Sequence, residues 1–217
     1  MPEPHWMTET RTAYDTVAVD YDRLIPEVVE GPMDRGMLAA FAEQVGRAGP
    51  AAEVGCGTGR ITAHLRDLGL DIFGIDLSPG MVEVARRRHP GLRFEVGSMT
   101  DLGLPDGGLA GLVAWYSIIH LPPETLPEVF AEFHRVLAPR GRLLLAFKAG
   151  GCLDRLAEAY GHTVSYDVHW HSSDRVVDEV TAAGFTIHAR LDREAEGFDR
   201  GPQGFVLATR PGGGTRA

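Results

Sequence analysis

Cysteine is scarce in this sequence, and no long apolar run occurs. The two cysteines, Cys56 and Cys152, are too few for a disulfide framework and fall in no metal-ligand spacing, so we expect both to be reduced thiols. No apolar stretch approaches the roughly 20 residues of a membrane-spanning helix, and MPEPHWMTET lacks the charged-then-apolar order of a signal peptide. We therefore expect a cytoplasmic protein with no membrane partner.

Positive charge is also in short supply. The chain has 21 lysine and arginine residues against 30 aspartate and glutamate residues, a formal net charge of −9 at pH 7. Proteins that bind nucleic acid usually present a basic face, so this balance disfavours a nucleic-acid partner. Apolar residues make up 44% and charged residues 24% of 217 residues, which is typical of one globular domain and excludes a disordered or fibrous chain.

Short apolar runs rich in valine, isoleucine and leucine alternate with helical stretches. The predicted strands are 51–54, 70–75, 92–96, 109–114, 142–147, 186–191 and 205–209. The predicted helices between the first five strands are 60–68, 81–88 after a Ser78 cap, and 123–137. This alternation predicts a Rossmann-like α/β fold with a seven-stranded, mostly parallel sheet and helices on both faces. Ligands of such sheets bind at the carboxyl ends of the strands, where strand order reverses.

We expect one domain over residues 1–217. Two helices within residues 10–46 precede the first strand and are predicted to form an N-terminal helical lid over a core of residues 47–210. Residues 1–8 and the flexible tail 211–217 are predicted to be loose ends, because neither could bury enough surface to offset its ordering entropy.

The strongest functional signal is E-V-G-C-G-T-G-R at residues 53–60, where a strand runs into a glycine-rich turn and a helix. Glycine lets a ligand touch the main chain, and free N–H groups at a helix start attract anionic groups, so a nucleotide-type cofactor is indicated. The dinucleotide fingerprint would need a third glycine at position 60, which is Arg60, and NAD is therefore disfavoured. A tight turn that binds nothing is the remaining alternative.

A second signal is G-I-D-L-S at residues 74–78, where an acid ends the next strand. A carboxylate there can accept hydrogen bonds from both ribose hydroxyls, which predicts that Asp76 binds ribose. The alternative role, an N-cap for the following helix, is already filled by Ser78. After the third strand, Ser98 and Met99 are placed to face a flat base edge.

Together these motifs resemble the class I S-adenosylmethionine-dependent methyltransferases, in particular the small bacterial enzymes that act on small molecules. E-V-G-C-G-T-G-R is similar to the family's first motif, G-I-D-L-S to its second, and G-S-M-T-D with L-P-D-G-G-L-A-G-L-V to its third and the entry to the fourth strand. The resemblance spans residues 14–209 and includes A-Y-D-x-x-A-x-x-Y-D at 13–22. The third motif departs from the commoner G-D pattern at Ser98.

The resemblance implies S-adenosylmethionine as cofactor, S-adenosylhomocysteine as product, and methyl transfer to an oxygen or nitrogen of a small-molecule acceptor, with bacterial secondary metabolism as the setting. It also implies a set of cofactor-binding residues: Tyr14, Tyr21, Glu53, Gly55, Gly57, Arg60, Asp76, Leu77, Ser98 and Met99. Arg60 has two readings, a partner of the cofactor carboxylate or a solvated arginine. Tyr14 and Tyr21 are seven residues apart and share a helix face, which is also compatible with an aromatic stripe buried against the sheet.

His120, just after the fourth strand, is the predicted catalytic residue, because a neutral imidazole there could act as a base near pH 7. A helix cap or a loop hydrogen bond is its alternative role. Six aromatic or imidazole groups between residues 160 and 171 predict a wall of an apolar or aromatic acceptor site. The predicted substrate pocket is Tyr116, His120, Tyr166, His169 and Trp170. His169 and His171 lack the i,i+4 spacing of a zinc pair, so no metal is expected.

Two other functions stay open at this point. One is a nicotinamide-dependent oxidoreductase on a similar fold, and the other is a protein that binds S-adenosylmethionine without turnover. The motifs do not identify the acceptor, and the oligomeric state is left open.

Overall fold

The computed structural model describes residues 3–26, 29, 31–197 and 199–212. The helices in these ranges are α1 His5–Leu24, α2 Pro32–Val45, α3 Arg60–Asp67, α4 Pro79–Arg88, α5 Leu126–Val136 and α6 Ser173–Ala182. The strands are β1 Ala51–Val54, β2 Ile72–Asp76, β3 Phe94–Val96, β4 Leu109–Trp115, β5 Leu137–Lys148, β6 Leu153–Ala159, β7 His162–His169, β8 Thr186–Arg193 and β9 Gln203–Thr209. Short 3₁₀ turns occupy Ile118–His120 and Pro123–Thr125.

Seven of the described strands form one sheet in the order β3-β2-β1-β4-β5-β9-β8. Strands β1 to β5 run parallel, and β9 is antiparallel to both β5 and β8. The predicted seven-stranded, mostly parallel Rossmann-like fold is therefore confirmed. Strand order reverses between β1 and β4, which places the expected ligand crevice just beyond Val54 and Trp115.

The helix that follows β2 begins where the sequence predicts. Ser78 caps α4, because its hydroxyl accepts a 3.0 Å hydrogen bond from the Met81 N–H, and Pro79 occupies the first helical position. Three arginines, at positions 86–88, fill the last turn, where positive charge opposes the helix dipole favourably. This cap fixes the loop that carries Asp76.

The two N-terminal helices pack into different core clusters. Ala13 and Val17 of α1 join one cluster together with α5 and α6, whereas Leu38 and Phe41 of α2 join a second cluster together with α3. Only α1 therefore lies where a lid over the crevice is expected, and α2 supports the opposite side of the sheet.

Two expectations from the sequence differ from the structure, and a third lies mostly outside the described residues. No strand was predicted over residues 160–171, but most of this segment is β7, which pairs with β6 in an antiparallel hairpin. Residues 5–8, predicted to be loose, form the first turns of α1. Within the predicted tail, residues 213–217 lie outside the described residues.

Among the helices that the structure describes, none has the length and apolar character that a membrane span requires.

Candidate functional site

The glycine turn after β1 adopts a backbone that only glycine holds without strain. Gly55, Gly57 and Gly59 have φ values of 73°, 54° and 85°. A Cβ on Gly55 would come within 2.2 Å of Ser117 Cβ, so this glycine permits close packing against the segment after β4. A Cβ on Gly57 would meet only the edge of the Tyr21 ring, at 4.0 Å, so Gly57 leaves open space beside the crevice.

Asp76 lies at the end of β2 and is tied to this turn. Its carboxylate accepts hydrogen bonds from the Gly57 N–H at 2.7 Å and the Ser78 N–H at 2.8 Å. Burial raises the pKa of Asp76 to about 6, although both backbone hydrogen bonds favour the charged form. The carboxylate is thus held in a fixed orientation, charged at pH 7, at the wall of the crevice.

A carboxylate from α1 anchors that helix beside the same loop. Asp15 accepts a 2.6 Å hydrogen bond from the Ser78 hydroxyl and a 2.8 Å hydrogen bond from the Gly80 N–H at the start of α4. Because Asp15 follows Tyr14 in the chain, these bonds set how α1 lies over the crevice. The sequence pattern A-Y-D contained this residue, but its role as an anchor was not predicted.

Glu53 is an almost completely buried acid in β1. Burial raises its pKa to about 8, and a hydrogen bond from the Thr62 hydroxyl opposes this shift only in part. Glu53 is therefore mostly protonated at pH 7, and its carboxylic acid group can donate a hydrogen bond as well as accept one.

These residues surround one cleft at the carboxyl ends of β1, β2 and β4. Every residue predicted to bind the cofactor lines it: Tyr14, Tyr21, Glu53, Gly55, Gly57, Arg60, Asp76, Leu77, Ser98 and Met99. From the predicted substrate pocket, Tyr116 and His120 also line the cleft. The structure thus gathers residues from five separate segments of the chain around a single space.

His120 makes hydrogen bonds through both of its ring nitrogens. Nδ1 lies 3.2 Å from the carbonyl oxygen of Asp167, which can only accept, so we assign the proton to Nδ1. Nε2 then accepts a hydrogen bond from the Tyr14 hydroxyl at 2.8 Å. Burial lowers the pKa of His120 to about 4, so the imidazole is neutral at pH 7.

Tyr116, which also lines the cleft, has an unusual backbone conformation. It follows β4 with φ of 53°, a conformation that is costly for a residue with a side chain. Its ring lies 6.4 Å from that of Phe205, and burial raises the pKa of its hydroxyl, with Arg193 opposing the shift. Tyr116 is therefore protonated at neutral pH and can donate a hydrogen bond.

The structure places the other three predicted pocket residues outside the cleft walls. Tyr166 lies behind them, with its ring 5.6 Å from Tyr14 and 5.5 Å from His120. His169 stacks on His171 at 5.9 Å, and Trp170 donates a 2.9 Å hydrogen bond to Asp154. The sequence identified the aromatic cluster, but the prediction that Tyr166, His169 and Trp170 line the substrate pocket is not met, because none of them lines the cleft.

Sequence reasoning missed several residues that line the cleft, namely Trp6, Thr10, Arg11, Trp115 and Ser117. A helical signal was present for two of them, because Trp6, Thr10 and Tyr14 are four residues apart and share one face of α1. Ser117 gave no comparable pattern. It lies in the cleft because its hydroxyl donates a 2.7 Å hydrogen bond to the Val54 carbonyl, which joins the ends of β1 and β4.

The central part of the chain matches a known protein family. Residues 51–141 match the family described as a methyltransferase domain. A demethylmenaquinone methyltransferase from Beutenbergia cavernae is 33% identical over 146 residues, which cover 66% of this chain and 58% of that protein. A malonyl-[acyl-carrier protein] O-methyltransferase from Serratia marcescens is 32% identical over 108 residues, 50% of this chain and 42% of that protein. The matched part of the chain spans about half the length of these curated relatives.

Solved structures extend the likeness in fold to most of the chain. A magnesium protoporphyrin IX methyltransferase from Synechocystis PCC 6803, with S-adenosylmethionine bound, aligns with a TM-score of 0.70 at 17% identity and covers 97% of this chain and 99% of its own. A methyltransferase from Mesorhizobium loti aligns with a TM-score of 0.65 at 20% identity, covering 83% and 99%. At these identities the likeness establishes the fold.

Proposed function

We propose that the chain carries a class I S-adenosylmethionine-dependent methyltransferase domain, as its motifs indicated, and that it methylates an oxygen or nitrogen atom of a small molecule. The match of residues 51–141 to a methyltransferase domain family supports this proposal. We further propose that it does so in the bacterial cytoplasm, as a step of secondary metabolism. The observation that carries this proposal is the convergence of the glycine turn, Asp76 and the tyrosines of α1 on one cleft.

The residues of the cleft fit S-adenosylmethionine. The open space over Gly57 would admit the amino-acid portion of the cofactor against bare backbone, since any side chain there would project into the cleft. Asp76, fixed by two backbone hydrogen bonds, has lone pairs left for ribose hydroxyls. Ser98 and Met99 would face the base from the loop after β3.

S-adenosylmethionine, when bound, supplies a methyl group on a sulfonium leaving group, so the chemistry demands little from the protein. The chain's own contribution is therefore alignment of the acceptor and exclusion of water. We assign the covering surface to α1, whose Tyr14 and Tyr21 rings lie 6.2 Å apart in an edge-to-face arrangement and both line the cleft.

His120 is the residue that we propose for proton removal, where the acceptor carries a proton. His120 lines the cleft and its Nε2 holds the lone pair, but the Tyr14 hydroxyl occupies that lone pair in this structure. Proton removal by His120 thus requires the Tyr14 hydroxyl to turn away or to pass the proton on. A pKa of about 4 makes the imidazole a weak base, so we expect alignment to carry most of the rate acceleration.

The test is ligand binding followed by turnover. Isothermal calorimetry should show binding of S-adenosylmethionine and no binding of NAD, and a screen of phenolic, carboxylic and amine acceptors should yield S-adenosylhomocysteine. Binding of NAD alone would favour the oxidoreductase alternative. Tight S-adenosylmethionine binding without product from any acceptor would favour a protein that uses the cofactor without turnover.

A further inference from the structure

The chain has a single lysine, Lys148, and it lies at the carboxyl end of a strand of the large sheet. Lys148 is the last residue of β5, on the same face as Ala146. Ala146 pairs with Trp115 on one side and with Phe205 on the other, and its carbonyl accepts a 2.8 Å hydrogen bond from the Tyr116 N–H. Of these residues Trp115 and Tyr116 line the cleft, and Lys148 lies about 7 Å along β5 beyond the residue that pairs with Trp115.

No acidic side chain among the described residues contacts Lys148. Its Nζ lies 5.0 Å from the centre of the Trp170 ring, and among the residues that the structure describes no hydrogen bond or ion pair engages it. The side chain is half-buried, and burial, followed by the nearby positive charge of Arg200, lowers its pKa. Desolvating a cation beside a like charge is costly unless a further group compensates it.

The two acids that influence the pKa of Lys148 accept hydrogen bonds from other side chains. Asp154 accepts the 2.9 Å hydrogen bond from the Trp170 indole N–H. Asp199 accepts a 2.7 Å hydrogen bond from Arg193. Both acids influence the pKa of Lys148 from a distance, but neither contacts it. The cation thus lies over an aromatic ring, and no described protein group accepts a hydrogen bond from it.

We propose that Lys148 binds an oxyanion, a carboxylate or a phosphate group, carried by the acceptor molecule. The inference rests on the proposed methyltransferase function, because it treats the space beyond Tyr116 as the acceptor's place. An acceptor bound in this way extends from the cleft along β5, with its anionic end at Lys148 and its reactive atom near Tyr116 and His120. Arg200, an exposed cation whose charge lowers the pKa of Lys148, would favour the approach of the same group.

The single lysine allows a direct test on the whole chain. Reductive dimethylation with ¹³C-formaldehyde labels Lys148 and the α-amino group, and the label leaves both charges in place. Benzoate, phenyl phosphate and neutral benzamide are then titrated separately, and the two methyl signals are followed by NMR. We expect saturable shifts of the Lys148 signal with one or both anions and none with benzamide, whereas the α-amino signal reports non-specific anion effects.

Two substitutions complete the test. Both substitutions remove the labelled lysine, so anion affinity is measured by calorimetry. Lys148→Met should weaken binding of the anion that shifts the signal by about ten- to a hundred-fold, as expected for loss of a charge-assisted hydrogen bond, and Lys148→Arg should keep most of the affinity. A larger effect of benzoate would identify a carboxylate acceptor, and a larger effect of phenyl phosphate a phosphate ester. Lys148 and α-amino signals that move together for every probe would overturn the proposal.

S-adenosylmethionine affinity, measured on the same samples, separates this proposal from the proposed function. Lys148→Met should bind the cofactor as the original chain does, because Lys148 lies outside the cleft walls. Absence of cofactor binding by the original chain would reject the methyltransferase proposal. Normal cofactor binding with an unresponsive Lys148 would reject the oxyanion site alone.

Discussion

The Tyr14 hydroxyl donates a 2.8 Å hydrogen bond to Nε2 of His120, across 106 residues of sequence. This bond connects α1, which covers the cleft, to the segment after β4, which forms part of its floor. The two rings also meet edge to face, with their centres 5.1 Å apart. The position of α1 and the availability of the His120 lone pair are therefore coupled. A movement of α1 that breaks this hydrogen bond would free the Nε2 lone pair.

Asp76→Ala should weaken S-adenosylmethionine binding by about ten- to a hundred-fold, because a charged contact with the ribose hydroxyls is lost. Calorimetry measures the effect. Asp71→Ala, which removes an exposed acid just before β2, is the matched control and should bind normally. Unchanged affinity in Asp76→Ala would remove Asp76 from the cofactor site.

The same contact predicts a pH dependence. Burial raises the pKa of Asp76 to about 6 in the protein without ligand, and the charged carboxylate is the form that accepts both hydroxyls. Affinity for the cofactor should therefore weaken as the pH falls through about 6, and Asp76→Asn should lose this dependence. A flat affinity between pH 5 and pH 7 in the original chain would contradict it.

Gly57→Val should place a branched side chain in the cleft and force it into a left-handed backbone, with φ of 54°. We expect a stability loss of about 1–2 kcal/mol and a large loss of cofactor affinity. Gly69→Val is the matched control, since Gly69 also has positive φ, 97°, and open space around it, but lies outside the cleft. Equal cofactor affinity in the two variants would count against the role of the glycine turn.

The fold was predictable because each parallel strand of the core is encoded by its own short apolar run in the sequence. The glycine turn, Asp76 and the Ser78 cap are local patterns, and the structure places them as the spacing indicated. The hairpin of β6 and β7 was missed, although Val164, Tyr166 and Val168 alternate with polar residues in the way that a half-buried strand requires.

Long-range contacts account for what the sequence could not show. The anchor between Asp15 and the start of α4 spans 65 residues, and no local pattern encodes which helix end an acid will reach. The hydrogen bond from Ser117 to Val54 likewise depends on β1 and β4 becoming neighbours in the sheet. Such contacts depend on the order of the strands in the sheet. The motifs predict which residue types line the cleft, but not how distant segments are arranged around it.

Glu53→Gln should change how stability depends on pH. The folded chain raises the pKa of Glu53 from 4.5 to about 8, so between these values the folded state retains a proton that the unfolded state releases. This group's contribution to stability is therefore greatest below pH 4.5, falls as the pH rises, and levels off above about 8. The slope is at most about 1.4 kcal/mol per pH unit.

The measurement for Glu53 is chemical denaturation at several pH values. Glu53→Gln keeps an acceptor for the Thr62 hydroxyl and cannot lose a proton, so its stability should fall less between pH 5 and pH 8 than that of the original chain. Glu95→Gln, an exposed change on β3, should leave the slope as it is. Equal slopes in all three proteins would show that Glu53 does not hold its proton on folding.

His120→Ala tests the proposed base once an active acceptor is known. If His120 removes the acceptor's proton, turnover should fall by about 10²–10⁴-fold, towards the lower end because its pKa of about 4 makes it a weak base, while cofactor affinity stays nearly constant. The rate of the original chain should fall as the pH drops through about 4. A loss of less than tenfold, with chemistry limiting, would assign His120 to positioning and leave alignment as the source of catalysis.

Tyr14→Phe distinguishes a basic role of His120 from a structural one. The change removes the hydroxyl that donates to Nε2 and keeps the ring that packs edge to face on His120. Because that hydrogen bond stabilises the neutral imidazole, its loss should raise the pKa of His120 and move the acid limb of the pH–rate profile upward. Tyr21→Phe, on the same face of α1, should leave the limb in place, since Tyr21 does not contact the imidazole in any described interaction. An acid limb that is the same in Tyr14→Phe and in the original chain would separate the profile from His120, and the proton would then have to leave the acceptor by another route.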